Sequence, residues 1–309
     1  MAGINRREFN LAFMSMIVAQ ACAASVPALA GDDIRSIKHE LGTTEITGKP
    51  TRVVALEFSF LQTLDVLGVV PVGISDDNQS ARVEQLLGKK IDYASVGTRL
   101  EPNLELISTL SPDLIIADVT RHSAVYQQLS SIAPTIVLNS WEGDYDTIKS
   151  SVITIAEALG ERAKGDEAIA RHSEVMSKII ARIPATEQRR ILLAVATPDS
   201  LSLHTSSSFT GSVFKAMGLT PAIQSDKPVE SGANLERLIA ASPEILLIGV
   251  DSGGTIVDQW KDNTAWTNIP AVQNHMAFEI DRTQFVRFRG LKIAELLAQE
   301  VLSKVYGGK

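Results

Sequence analysis

Apolar residues in this chain gather in two alternating ways. Short runs such as Val53-Val54-Ala55-Leu56, Leu114 to Asp118, Thr135 to Leu138 and Ile191 to Ala196 suit strands buried inside a sheet. Between them, apolar residues recur at helical spacing, as over Phe58 to Leu67, Ser123 to Ile132 and Leu291 to Tyr306. Shorter strands are expected at Val70 to Ile74, Ala94 to Val96, Leu201 to His204 and Ala277 to Ile280. Further helices are expected at Val83 to Leu87, Gly211 to Met217 and Val257 to Trp266. Ile34 to Thr47 alternates loosely, as a strand or a hairpin does. Strands alternating with helices predict βαβ units and mainly parallel sheets covered on both faces, an α/β fold.

Two distant stretches share one pattern. Glu101 to Asp118 reads EPNLELISTLSPDLIIAD, and Gly232 to Asp251 reads GANLERLIAASPEILLIGVD. Glu236 follows Glu105 by 131 positions, and Pro243 follows Pro112 by the same interval. In each copy an Asn is placed to cap a short helix, and the Glu two residues on lies in its first turn, where the helix dipole favours an anion. Ser-Pro then ends the helix, because proline disfavours the helical conformation in the residue before it. Two such units predict two lobes of similar construction.

The rhythm breaks from Thr147 to Ile183. Ile148, Val152, Ile155, Ala156 and Leu159, then Ile169, Val175, Ile179 and Ile180, keep helical spacing, interrupted by Gly160 and Gly165 and closed by Pro184. This predicts a single helix of about 35 residues, roughly 50 Å long. The alternative is two helices broken between Gly160 and Gly165. The layout is then an N-terminal α/β lobe over 31–146, a bridging helix over 147–184 and a C-terminal α/β lobe over 185–309.

The first thirty residues read as a targeting segment and not as fold. Arg6-Arg7-Glu8-Phe9-Asn10-Leu11 resembles a twin-arginine export signal, an apolar stretch follows, and Ala28-Leu29-Ala30 offers small residues for cleavage after Ala30. Removing this segment takes the net charge from −7 to −8, since it contains Arg6, Arg7 and Glu8. The single cysteine, Cys22, lies within it, so the mature chain has no disulfide and no thiol chemistry. Acylation of Cys22 as a lipoprotein is the alternative, although Ala19-Gln20-Ala21 fits that processing poorly. Hydrophobic content of 45% and charged content of 21% are those of a globular protein. The acidic balance and the lack of a basic run exclude nucleic acid as a partner. Nothing after residue 30 is long and apolar enough to span a membrane.

No glycine-rich phosphate loop, nucleophile elbow or metal-spaced histidine pair is present in the sequence. What stands out is arginine just after strands: Arg99, Arg121, Arg287 and Arg289, with Arg282 nearby. Ligands of α/β sheets collect at the carboxyl ends of strands, and the guanidinium fork grips carboxylates bidentately. Taken singly, each arginine also reads as a solvated loop residue. Taken together, they predict a pocket for a polyanion. Glu105 and Glu236 have two readings as well: helix-terminus stabilisation, or a matched pair of exposed acids that docks on basic sockets of a symmetric partner.

Against these residues the chain resembles the periplasmic iron(III)-siderophore binding proteins of ABC importers, and among them the branch specific for iron(III) dicitrate. The stretches that carry the likeness are RVVALEFS from Arg52, GISDD from Gly73, VGTR from Val96, PDLIIAD from Pro112 with Arg121-His122, Leu203-His204-Thr205, TGSV from Thr210, and RFRG from Arg287. The resemblance implies two α/β lobes bridged by one rigid helix and no catalytic activity. It implies permease docking through Glu105 and Glu236, a monomeric protein without a resident cofactor, and an anionic iron chelate, ferric dicitrate foremost, held by Arg99, Arg121, Arg287 and Arg289. His204, Ser206 and Phe209, with Thr205, fall on the expected pocket loop. Phe209 stands where the dicitrate branch is expected to carry Trp, and Ser206-Ser207-Ser208 changes the polar groups beside it. A hydroxamate siderophore or a corrinoid is therefore the alternative ligand. An exported enzyme using Asp118, His122 or His204 is the alternative from another class.

Overall fold

The alternating runs resolve into two sheets in the computed structural model, which describes residues 34–307. The expected signal segment, its cleavage point after Ala30 and Cys22 lie outside the described residues. The chain opens with a hairpin of β1 (Ile34–His39) and β2 (Gly42–Thr47). Then follow β3 (Val53–Ala55), α1 (Phe58–Val66), β4 (Gly73–Ile74), α2 (Ser80–Leu87), β5 (Ala94–Ser95) and α3 (Leu104–Thr109). The first lobe's sheet is completed by β6 (Leu114–Asp118) and β7 (Thr135–Leu138), with α4 (Val119–His122) and α5 (Tyr126–Ile132) between them. Its order is β5-β4-β3-β6-β7, and all its pairings are parallel. A parallel sheet points every strand's carboxyl end the same way, so five loops gather along one edge.

Next come α6 (Tyr145–Ala158) and α7 (Arg162–Ile180). The second lobe contains β8 (Arg190–Ala196), β9 (Leu201–His204), α8 (Phe209–Ala216), β10 (Thr220–Pro221), β11 (Val229–Ala233), α9 (Leu235–Ala241) and β12 (Ile245–Val250). It closes with α10 (Thr264–Thr267), α11 (Pro270–Gln273), β13 (Ala277–Asp281) and α12 (Leu291–Tyr306). Its sheet runs β11-β9-β8-β12-β13, with β8, β12 and β13 parallel and β9 antiparallel to both neighbours. The expected helix over Val257 to Trp266 is instead a 3-10 turn at Ile256–Trp260 followed by the short α10. No helix among the described residues is long and apolar enough to cross a membrane.

The single helix expected over 147–184 is two helices. Gly160 takes a left-handed φ of 67°, and the Glu161 amide donates back to the Ala156 carbonyl at 2.7 Å, a cap that stops α6. Gly165 then lets the two helices pack closely, since a Cβ there would sit 2.6 Å from the Cβ of Ala156. Helix α6 belongs to the first lobe: Ile155, Ala156 and Leu159 share a core with Val53, Leu114 and Ile136. Helix α7 is the bridge, because Ala168 packs with Val152 while Met176 and Ile179 join the core of the second lobe. That second core is continuous between lobes, containing Phe58, Leu61 and Leu86 together with Phe209, Phe214 and Ile280.

The repeated unit is built alike in both lobes. Asn103 accepts from the Leu106 amide at 3.0 Å, and Asn234 from the Arg237 amide at 2.9 Å. The serines before proline, Ser111 and Ser242, take left-handed φ of 44° and 46°. The following acid then grips the start of an adjacent strand: Asp113 accepts from the Arg52 amide at 2.7 Å, and Glu244 from the Arg190 amide at 3.0 Å.

Candidate functional site

The loops at the carboxyl ends of the first lobe's strands carry the charge. After β3 stands Glu57, buried, which receives Arg99 Nη1 at 3.4 Å on one oxygen and Arg121 Nη1 on the other. After β4, Asp77 and Asn78 both adopt positive φ, 61° and 55°, a conformation that Asp and Asn tolerate best among residues with a side chain. That turn presents Asp77 to Arg99, which donates Nη2 at 2.8 Å and its own amide at 3.1 Å, and to Arg82 at 2.8 Å. The turn is braced by Asp76, which accepts from Tyr93, Ser95 and the Asn78 amide. Burial works against the Asp77 carboxylate, but Arg99 and Arg82 hold it below the usual range. Burial likewise opposes the Arg99 charge, and Glu57 and Asp77 more than restore it.

After β6, Asp118 is spent on the backbone. One oxygen accepts from the Arg121 amide at 2.9 Å, capping α4, and the other from the Ser140 and Trp141 amides at 2.8 and 2.9 Å. His122 is buried, accepts from the Asp118 amide at Nδ1 (2.8 Å) and meets the Arg99 carbonyl at Nε2 (2.8 Å). Burial lowers its pKa, so this pattern describes a neutral ring donating to that carbonyl. Asp118 and His122 thus hold the arginine loops in place.

The second lobe answers from β13. A π turn over Thr283–Arg287 follows that strand and aims Arg287 and Arg289 at the same space. Arg287 and Arg282 share one oxygen of Asp251 at 3.1 and 2.8 Å, and the two cations hold Asp251 below its usual pKa despite burial. Arg289 is buried and has no ion pair among the described residues; the ring of Trp141 lies 5.2 Å from its guanidinium carbon. Burial pulls its pKa to about 10, Glu57 opposes this, and Arg121 and Arg99 add to it, so it stays charged near neutrality. His204 is buried, contacts Thr210 Oγ1 at 3.1 Å through Nδ1, and is pushed down to about 3 by burial and then by Arg289. It is a neutral polar group.

These side chains enclose a cleft of about 870 Å³ between the lobes. Of the residues expected from the sequence, Arg99, Arg121, His204, Phe209, Arg287 and Arg289 all line it. Ser206 does not: it lies buried beneath the wall, accepting from the Ser225 amide at 3.2 Å and so anchoring the loop that carries Lys227 and Pro228 to the rim. Glu105 and Glu236 are exposed on the first turns of α3 and α9, and neither carboxylate is ion-paired among the described residues. Sequence reasoning missed Glu57, Asp77, Asp251 and Trp141. An acid directly after a buried strand was the available signal for Glu57 and Asp251; Trp141 had none.

The cleft is lined by Arg99, Arg121, Lys227, Arg282, Arg287 and Arg289, six positive charges, against four negative ones on Asp77 and Glu142 in its wall and on Glu57 and Asp251, which its arginines bind. The arrangement therefore offers a partly desolvated, net-cationic cleft whose donors come from both lobes, with a neutral wall at His204 and Phe209.

The comparisons with known proteins agree with this construction. A crystal structure of Staphylococcus aureus SirA complexed with staphyloferrin B superposes with a TM-score of 0.75 at 24% identity, covering 88% of this chain and 98% of that one, which fixes the fold. The Fe(3+)-citrate-binding protein YfmC of Bacillus subtilis (strain 168) is 49% identical over 274 residues, 89% of this chain and 87% of that protein. The Fe(3+) dicitrate-binding periplasmic protein FecB of Escherichia coli (strain K12) is 32% identical over 96% of this chain and 94% of its own. The periplasmic binding protein family model matches residues 53–283, from the first strand of one lobe's sheet to the arginine turn of the other, and the chain belongs to that family.

Proposed function

We propose that this protein is the substrate-binding component of an ABC importer and captures an anionic iron(III) chelate, ferric dicitrate foremost. The observation that carries the reading is the excess of guanidinium groups converging on one cleft from both lobes. A citrate chelate occupies the iron's coordination sites and turns its remaining carboxylates outward, where bidentate arginines are the matching donors. Among the described residues no three His, Cys, Asp or Glu side chains are grouped to hold a metal ion, which suits a cargo already chelated. Relatives named for ferric citrate at 49% and 32% identity support the same ligand.

In this reading the protein works in the periplasm as a monomer. It leaves the cytoplasm by the twin-arginine route, is cleaved after Ala30, and presents Glu105 and Glu236 to the two halves of the permease. Isothermal titration with ferric citrate, iron-free citrate and a neutral ferric hydroxamate tests the ligand. Saturable heat with ferric citrate, and weaker or no heat with the hydroxamate, is the expected result. Tighter binding of the neutral hydroxamate would overturn the anionic reading.

A further inference from the structure

The residue that joins the two sets of arginines is Trp141. Its indole meets both Arg121 of the first lobe, 4.0 Å from guanidinium carbon to ring centre, and Arg289 of the second, at 5.2 Å. Its position is not incidental. The Asp118 carboxylate accepts from the amides of both Trp141 and Arg121, so one buried acid places the ring and its first cation together. On the other side, Phe288 anchors the Arg287–Arg289 turn in the shared core by an edge contact with Phe58 at 5.2 Å. Trp141 remains 43% exposed, and its free surface forms part of the cleft wall.

Two guanidinium groups this close repel each other, and burial strengthens the repulsion. An aromatic ring carries negative charge on its faces and positive charge on its edge, so one ring that attracts both guanidiniums offsets part of their repulsion. Arg289 makes no ion pair among the described residues, and Glu57 offsets only part of its burial, which leaves Trp141 as the ring it meets.

We propose that Trp141 is a positioning residue of the anion site: a shared aromatic partner that holds Arg121 and Arg289 together across the lobe boundary, so that one ligand meets both. The proposal rests on the anion-binding reading for its ligand but not for its geometry.

Two measurements test it. The first needs no ligand. Trp260 and Trp266 pack with each other elsewhere in the second lobe, so the difference in emission between wild type and W141F isolates Trp141. That difference spectrum shifts in the R121A and in the R289A background; an unchanged spectrum in both would remove the shared contact. The second is a binding cycle with ferric citrate. W141A weakens binding about tenfold, as loss of two cation–π contacts predicts, and W141F recovers most of it because a phenyl ring still presents a π system to both cations. In the W141A/R289A double variant the loss beyond R289A is less than threefold, since the two residues act as one unit. Fully additive losses, or no rescue by W141F with all variants folded by near-UV circular dichroism, would overturn the proposal. Should the wild type bind neither ferric citrate nor citrate, the ligand assignment fails while the emission measurement still decides the role of Trp141.

Discussion

In the N-terminal lobe, Arg99 and Arg121 are neutralised by Glu57 and Asp77 before any ligand arrives. In the C-terminal lobe, Arg289 meets an indole and has no ion pair among the described residues, and Arg287 shares a single carboxylate with Arg282. The contrast separates two tasks. The first lobe's arginines are locked in geometry, so little side-chain freedom is lost when a ligand binds them. The second lobe's Arg289 is a buried cation with no ion pair among the described residues and only partial compensation from Glu57, which is costly until an anion arrives. One half of the cleft is thus preorganised, and the other is completed by its guest.

Four measurements break or sharpen this contrast. The largest effect is expected at Glu57. E57A strips two buried guanidiniums of their shared acceptor and should cost about 3–5 kcal/mol of stability in denaturant unfolding. R289A removes an only partly compensated charge and should leave stability unchanged or raised. Equal losses in the two variants would erase the distinction between the lobes. In ligand titrations the order reverses. R289A should weaken ferric citrate at least about thirtyfold, by the roughly 2 kcal/mol or more that follows loss of a buried charged partner. Retention of wild-type affinity in R289A would place the ligand elsewhere.

A third effect follows pH. His204 titrates near 6.5 when unfolded but at about 3 in the folded chain. Between these values the unfolded state binds more protons, so stability is full above pH 6.5 and falls as the pH drops. The slope is up to about 1.4 kcal/mol per pH unit for one such group. H204N should flatten this part of the stability curve, and parallel curves for the two proteins would show that the ring is protonated without penalty. The smallest effect tests the likeness of the lobes and not their contrast. N103A and N234A should each cost about 1 kcal/mol as lost helix caps, and a silent variant would show that the two repeated units are equivalent only in outline.

Much of the frame was legible. The strands Thr135–Leu138 and Leu201–His204 and the helix Leu291–Tyr306 fall where hydrophobic pattern places them. Both asparagine caps formed because capping is a contact across three residues and needs no distant partner. The bridge was misread for a physical reason. Helices α6 and α7 each keep an apolar face, so the periodicity runs on across Gly160, and only the left-handed turn there reveals the break. Strand β11 was missed because Val229–Ala233 has no alternating pattern; it is an edge strand fixed by pairing with β9. The resemblance puts Ser206 on the pocket loop with His204 and Phe209, yet that loop turns its hydroxyl toward Ser225 and away from the cleft.

The order of elements, their types and the arginines at strand ends are properties of neighbouring residues, and the sequence by itself determined them. Which carboxylate meets which arginine is another matter. Glu57 lies 42 positions from Arg99 and 64 from Arg121, and they meet because β5, β4, β3, β6 and β7 lie side by side in that order with parallel carboxyl ends. Strand order in a parallel sheet is set by long crossovers packing on its faces, so the partners of the charges, and the ring shared by Arg121 and Arg289, were decided only by the tertiary structure.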